Sequence, residues 1–119
     1  MKILITGSAG YIGSCLYEYL KTQYDVYGID KTNPPIKIQK KFFKCNLLNQ
    51  QKLNNIISSI KPSFIIHLAA QPGVRFSISD PKRYIDENVV AFTKVLEFAR
   101  IQKPKCSFFA SSSSIYGDS

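Results

Sequence analysis

Three glycines near the start of the chain, in Gly7-Ser8-Ala9-Gly10-Tyr11-Ile12-Gly13, are spaced G-x-x-G-x-x-G. This is one residue longer between the first pair than the dinucleotide fingerprint G-x-G-x-x-G. Residues of this type hold anions. Gly7 allows a tight turn, Gly10 lets the backbone approach a pyrophosphate with no Cβ in the way, and Gly13 lets a helix pack close to a strand. A helix beginning near Tyr11 would aim unsatisfied N–H groups and the positive end of its dipole at the phosphates. Asp30 lies 23 residues beyond Gly7. That is the spacing at which an acid grips the adenosine ribose hydroxyls, and an acid there favours NAD over NADP by repelling a 2′-phosphate. Lys31 beside it softens that preference. The plainer alternative is a glycine turn with a chance acid at a strand end. A strand before the glycines and an amphipathic helix after them favour the dinucleotide reading.

Other reactive side chains are sparse. Ser111, Ser112, Ser113 and Ser114 follow an apolar run and precede Ile115-Tyr116-Gly117. They read as a flexible polar loop or, at the end of a strand in an α/β sheet, as part of a site. Arg75 is equally a bidentate grip for a carboxylate or phosphate and a solvated loop residue. His67, the only histidine, reads as a packed strand residue, since nothing adjacent would orient it for catalysis. The cysteines, Cys15, Cys45 and Cys106, are odd in number and far apart. That pattern argues against a zinc site or a disulfide framework and predicts three reduced, mostly buried thiols.

The elements that must position these residues follow from periodicity. Lys2–Thr6 is an apolar run ending at a glycine, a strand. Ile12, Leu16, Tyr19 and Leu20 then trace one helical face. Tyr24–Ile29 predicts a second strand ending at Asp30, and Asn33-Pro34-Pro35 marks a loop. Lys41–Cys45 predicts a third strand. Leu53, Ile56, Ile57 and Ile60 form a helical stripe with Asn49 as N-cap and Pro62 as its stop. Ser63–Leu68 reads as a strand buried on both faces, followed by a loop from Ala70 to Ser79. Asp80-Pro81 starts a helix whose stripe is Ile85, Val89, Phe92, Leu96 and Ala99, closed by Pro104. Cys106–Ala110 is the last strand. The order β-α-β-β-α-β-α-β implies an α/β fold, a doubly wound parallel sheet of order 3-2-1-4-5. Neither an internal repeat nor a linker between domains is visible.

The chain has 119 residues, 45% hydrophobic and 20% charged, one domain's worth of material or less. It is too apolar for a disordered tail. It lacks both an apolar run long enough to span a bilayer and a secretory leader, so a soluble, cytoplasmic protein is expected. Thirteen Lys and three Arg against eight acids give a net charge of +8. Lys37, Lys40, Lys41 and Lys44 crowd one stretch, read as a solvated surface rather than a nucleic-acid or membrane contact. Phe42, Phe43, Phe108 and Phe109 are expected in the core of strands, not on a base-stacking platform.

Three further segments join the glycine loop TGSAGYIGS. These are His67-Leu68-Ala69-Ala70 running into QPGVRFS, Asn88-Val89-Val90-Ala91-Phe92, and Ser111–Gly117. Together, over residues 2–117, they resemble the extended short-chain dehydrogenase/reductase family in its NAD-dependent nucleotide-sugar epimerase/dehydratase branch. HLAAQPGVRFS and ASSSSIYG are most similar to UDP-glucuronate 4-epimerases. The resemblance implies a Rossmann-type fold over 1–119, NAD as cofactor and a nucleotide sugar as substrate. Gly7, Gly10, Tyr11, Ile12 and Gly13 match the pyrophosphate loop, and Asp30 the ribose contact. Asn46 and Leu47 fall where the family carries Asp-Leu or Asp-Ile beside the adenine, and Asn46 departs from that pattern. Leu68, Ala69 and Ala70 match the segment passing under the cofactor, and Asn88 a supporting helix residue. Ser112 matches the active-site serine, with Ser113 and Ser114 lining the same site.

The family's chemistry needs a tyrosine, its pKa lowered by a lysine four residues on, to take the proton of the sugar 4-OH while NAD⁺ takes the C4 hydride. The keto sugar then turns and is reduced on its other face. By resemblance that pair falls beyond Ser119. Tyr17–Lys21 has the spacing but lies on the first predicted helix, a chance match. The expectation is therefore a Rossmann domain cut before its later strands and substrate region, without a general base and inactive alone. The alternative is a non-catalytic NAD-binding or assembly module. In it, a second copy or a partner chain covers the open edge of the fifth strand.

Overall fold

The computed structural model describes residues 1–34, 41–70 and 78–110. The first apolar run, β1 (Lys2–Thr6), takes the centre of the sheet, and its last four residues are buried. There follow α1 (Tyr11–Leu20), β2 (Asp25–Asp30), β3 (Phe42–Lys44), α2 (Gln50–Ile60), β4 (Phe64–His67), α3 (Pro81–Ile85), a π-helical turn (Asp86–Val90), α4 (Ala91–Gln102) and β5 (Cys106–Phe109). The five strands pair in parallel in the order β3-β2-β1-β4-β5. The expected α/β doubly wound sheet is what forms.

Alternation along β1 divides the core. Leu4, with Ile29 and Ile65, packs under α2 and α4 through Leu53, Ile57, Ile60, Val95 and Phe98. Ile3, Ile5 and Val26 pack on the other face against Tyr17, with Leu16 and Leu20. Successive strand residues point to opposite faces, so a strand apolar at every position must be covered on both.

The caps follow the sequence. The Asn49 side chain accepts from Lys52 N at 3.2 Å, and the Asp80 side chain from Arg83 N at 3.3 Å, with Pro81 in the first turn. Lys61 and Lys103 end α2 and α4 in the left-handed conformation, and each precedes a proline that cannot extend the helix.

Several side-chain placements differ from expectation. The buried face of α1 is Gly13 and Tyr17, while Ile12 and Tyr19 are exposed. The cause is Gly13, which must face the β1 turn and so sets the rotation of the helix. Along the later helix, Ala91, Val95 and Phe98 are buried, whereas Ile85, Val89 and Leu96 are exposed. The π turn inserts a residue into the α-repeat, so one periodic stripe cannot run through it. Phe108 and Phe109 are 51% and 60% exposed rather than core. β5 is the edge strand, and α1 packs over β1 and β2 instead. Phe42 and Phe43 are half-buried. Only Cys45 is a buried thiol; Cys15 and Cys106 are exposed, on α1 and at the start of the edge strand.

Candidate cofactor site

In a doubly wound sheet the ligand crevice lies beyond the strand C-termini, where the strand order reverses. Here that point is between β1 and β4. β1 leaves through Gly7, whose φ is +74°. A Cβ on Gly7 would stand 2.7 Å from Ala69 N, so only glycine fits both the turn and the neighbouring backbone. Gly7 N donates to Ile29 O at 2.9 Å, tying the loop to β2. A Cβ on Gly13 would lie 2.0 Å from Gly7 O, so helix and turn touch backbone to backbone. Gly10 is different. A Cβ there would meet one atom, Gly7 O, at 3.4 Å, an ordinary contact. The protein's own packing does not demand glycine at 10; the room lies on the open side.

That open side is a pocket of about 160 Å³ lined by Gly7, Gly10, Asp30, Asn46, Leu47, Leu68, Ala69 and Ala70. The fold thus brings together eight of the residues marked in the sequence. Of the rest, Gly13 serves packing, and Tyr11 and Ile12 are exposed on the first turn of α1. That turn carries no acidic side chain, and Gly10 at its N-cap supplies no side-chain hydrogen bond. Arg75, Ser112, Ser113 and Ser114 lie outside the described residues. Asn88 is half-buried in the π turn.

The polar groups are oriented by short-range bonds. The Asp30 carboxylate accepts from Ala9 N at 3.0 Å and from Thr32 N at 3.2 Å, which fixes it beside the glycine loop. Asn46 Oδ1 accepts from Leu48 N at 3.0 Å. An amide oxygen has two lone pairs, so one acceptor site remains. Thr6 Oγ1 accepts from Leu68 N at 3.1 Å and Ala69 N at 3.3 Å. Its hydroxyl then donates to His67 Nδ1 at 2.7 Å, which leaves the ring proton on Nε2. Burial holds the His67 pKa down at about 4. The histidine is the packed strand residue expected, and it helps tie the exit of β1 to the exit of β4.

Sequence reasoning missed Ile29, Cys45, Leu48, Glu87 and Ala91 in the pocket wall. The apolar ones were visible as strand and helix residues, but nothing marked them as facing a ligand. Glu87 forms an ion pair with Lys31 across the pocket, a pairing of positions 56 apart that no local pattern predicts. Two tyrosine–lysine pairs have the four-residue spacing, Tyr17–Lys21 and, overlooked by sequence reasoning, Tyr27–Lys31; Lys31 lines the pocket, but neither tyrosine does. Tyr17 is buried on α1, its hydroxyl accepting from Lys41 N at 3.2 Å. Tyr27, four residues before Lys31, sits on β2 and bonds Asp25 at 3.2 Å.

The sequence model of the NAD dependent epimerase/dehydratase family matches residues 3–119. The chain belongs to that family. Among curated relatives, "Protein CapI" of Staphylococcus aureus is 40% identical over 98% of this chain and 39% of its own length. A UDP-glucose 4-epimerase of Mycoplasma genitalium is 36% identical over 98% of this chain and 37% of its own. A Rhizobium meliloti protein named "Probable UDP-glucuronate 4-epimerase" is 36% identical over 98% and 39%. The chain thus spans less than half the length of the curated relatives it matches. Among solved structures, the UDP-glucose 4-epimerase of Thermotoga maritima with UDP-glucose superposes with a TM-score of 0.88 at 28% identity, over 100% of this chain and 40% of that one. The Thermus thermophilus UDP-glucose 4-epimerase in complex with NAD gives 0.87 at 28%, over 94% and 38%. The family is NAD-dependent, and the expected fold and cofactor both hold.

Proposed function

We propose that these residues form the NAD-binding part of a nucleotide-sugar 4-epimerase, of the kind that acts on UDP-glucuronate. The carrying observation is Gly10, a glycine that the protein's own packing does not require, on the wall of a pocket with Asp30 on the same wall. These groups fit the cofactor. Gly7, Gly10 and the first turn of α1 would face its pyrophosphate, Asp30 its adenosine ribose, and Asn46 and Leu47 its adenine. Leu68, Ala69 and Ala70 would pass beneath it, the two alanines small enough for close backbone approach. When bound, NAD supplies a hydride acceptor. Ser112 would hydrogen-bond the sugar oxygen at C4, with Ser113, Ser114 and Arg75 as further sugar contacts.

The polypeptide of residues 1–119 supplies no tyrosine–lysine pair at this site, so it is expected to bind NAD but not to turn over. Acid–base groups of this kind contribute about 10²–10⁴-fold. Titration calorimetry should detect NAD binding to the wild type. In Gly10→Val it should be weakened by about 10- to 100-fold, the range for overfilling a close contact, with an unchanged thermal melt. Equal affinity in the two would reject the site. Turnover of UDP-glucuronate at an ordinary enzymatic rate would reject the inactivity.

The exposed β5 favours a second reading, an NAD-binding module that works against a second copy or a partner chain. Soluble, cytoplasmic residence is proposed with either reading. Among the described residues no helix is long and apolar enough to cross a membrane.

A further inference from the structure

The geometry points to Glu87 as the residue that sets the choice between NAD and NADP, by neutralising Lys31 at the ribose end of the pocket. This rests on the nucleotide-binding reading above. Asp30 is held at the end of β2 by Ala9 N and Thr32 N. The next residue, Lys31, lines the same pocket. A basic side chain beside the ribose acid is what accommodates a 2′-phosphate, so Lys31 alone would draw NADP toward a site whose acid repels it.

Glu87 removes that attraction. It comes from the π turn, and its side chain is 17% exposed against 39% for Lys31. It pairs with Lys31 and lies 3.5 Å from Arg83 Nε. The charged residues that line the pocket, Asp30, Lys31 and Glu87, sum to one negative charge at the place where NADP would add a dianion, Arg83 not being part of the lining. Without the Glu87 charge that local sum is zero, and the Lys31 ammonium is released toward the ribose.

The test is the NADP-to-NAD affinity ratio of the full chain by titration calorimetry. Glu87→Gln should improve NADP relative to NAD by about five-fold, the scale of a partly exposed ion pair, and added salt should shrink the gain. Glu87→Asp should stay near wild type. The double variant Lys31→Met/Glu87→Gln should lose the gain. Lys31→Met alone should move the ratio the other way, which keeps the test open if Glu87→Gln folds poorly. An unchanged ratio in Glu87→Gln with NAD still bound overturns the proposal, as does the same gain in the double variant. Failure of the wild type to bind either nucleotide overturns the cofactor reading itself, and this inference with it.

Discussion

Gly10 and Gly13 are the same residue type in one loop with opposite reasons for being there. The space beside Gly10 opens on the pocket, and that beside Gly13 is filled by the Gly7 carbonyl. Substitution should separate the two roles. Gly13→Ala puts a methyl group 2.0 Å from Gly7 O, and neither backbone segment can yield cheaply. It should cost at least about 1–3 kcal/mol and lower the melting temperature by about 5 °C or more, read by circular dichroism. Gly10→Ala meets only an ordinary contact and should melt with the wild type. A Gly13→Ala variant as stable as wild type would mean that the close packing of helix on turn is not as described.

At the scale of elements, Thr6 and His67 tie β1 to the segment that leaves β4. The bond needs His67 neutral, because Nδ1 must accept. The folded pKa is about 4, below the unfolded value of about 6.5. The unfolded chain therefore takes up the proton first. This contribution to stability is fully present above pH 6.5 and is lost as pH falls toward 4. About 2.5 pH units correspond to roughly 3 kcal/mol at most. Urea midpoints measured between pH 7 and 4 should fall across that window. His67→Asn, which keeps an acceptor without a titrating ring, should flatten the slope. An equally steep fall in His67→Asn would assign the effect to other groups.

The same scale shows what could be read beforehand. Element types, strand order and caps were legible because they rest on local signals, namely glycine after a strand, asparagine or aspartate before a helix and proline after one. Gly7, Asp30 and Ala69 were legible as candidates that line one pocket because motif and strand end coincide. The helix faces were less so. Gly13 rotates α1 away from its apolar stripe, and the π turn breaks the 4-3-4-3 repeat between Ile85 and Phe92. Both effects arise from backbone contact or backbone hydrogen bonding, which side-chain periodicity does not encode. Glu87 was invisible for a related reason, since its partner lies on another element.

At the scale of the molecule, the described sheet has an apolar edge. Phe108 and Phe109 are both more than half exposed, one on each face of β5, and Leu96 and Ile101 of α4 are also exposed. A parallel edge strand with these side chains invites pairing, and a net charge of +8 opposes it. The charge is screened by salt while the apolar contact is not. Light scattering of the 119-residue chain should therefore show association that grows with concentration and with salt. Phe108→Lys should reduce it. A monodisperse monomer throughout would count against a partner at this edge.

The position of β1 also bears on synthesis. The central strand, Lys2–Thr6, is made before both of its neighbours, and one of them, β4, begins only at Phe64. At about 5–20 residues per second, β1 waits several seconds on the ribosome with β2 on one side and nothing on the other. Its buried residues, Leu4 and Ile5 among them, are therefore among the longest-exposed apolar groups of the nascent chain. In a cell short of chaperones, the centre of the finished sheet is the place where misassembly would begin.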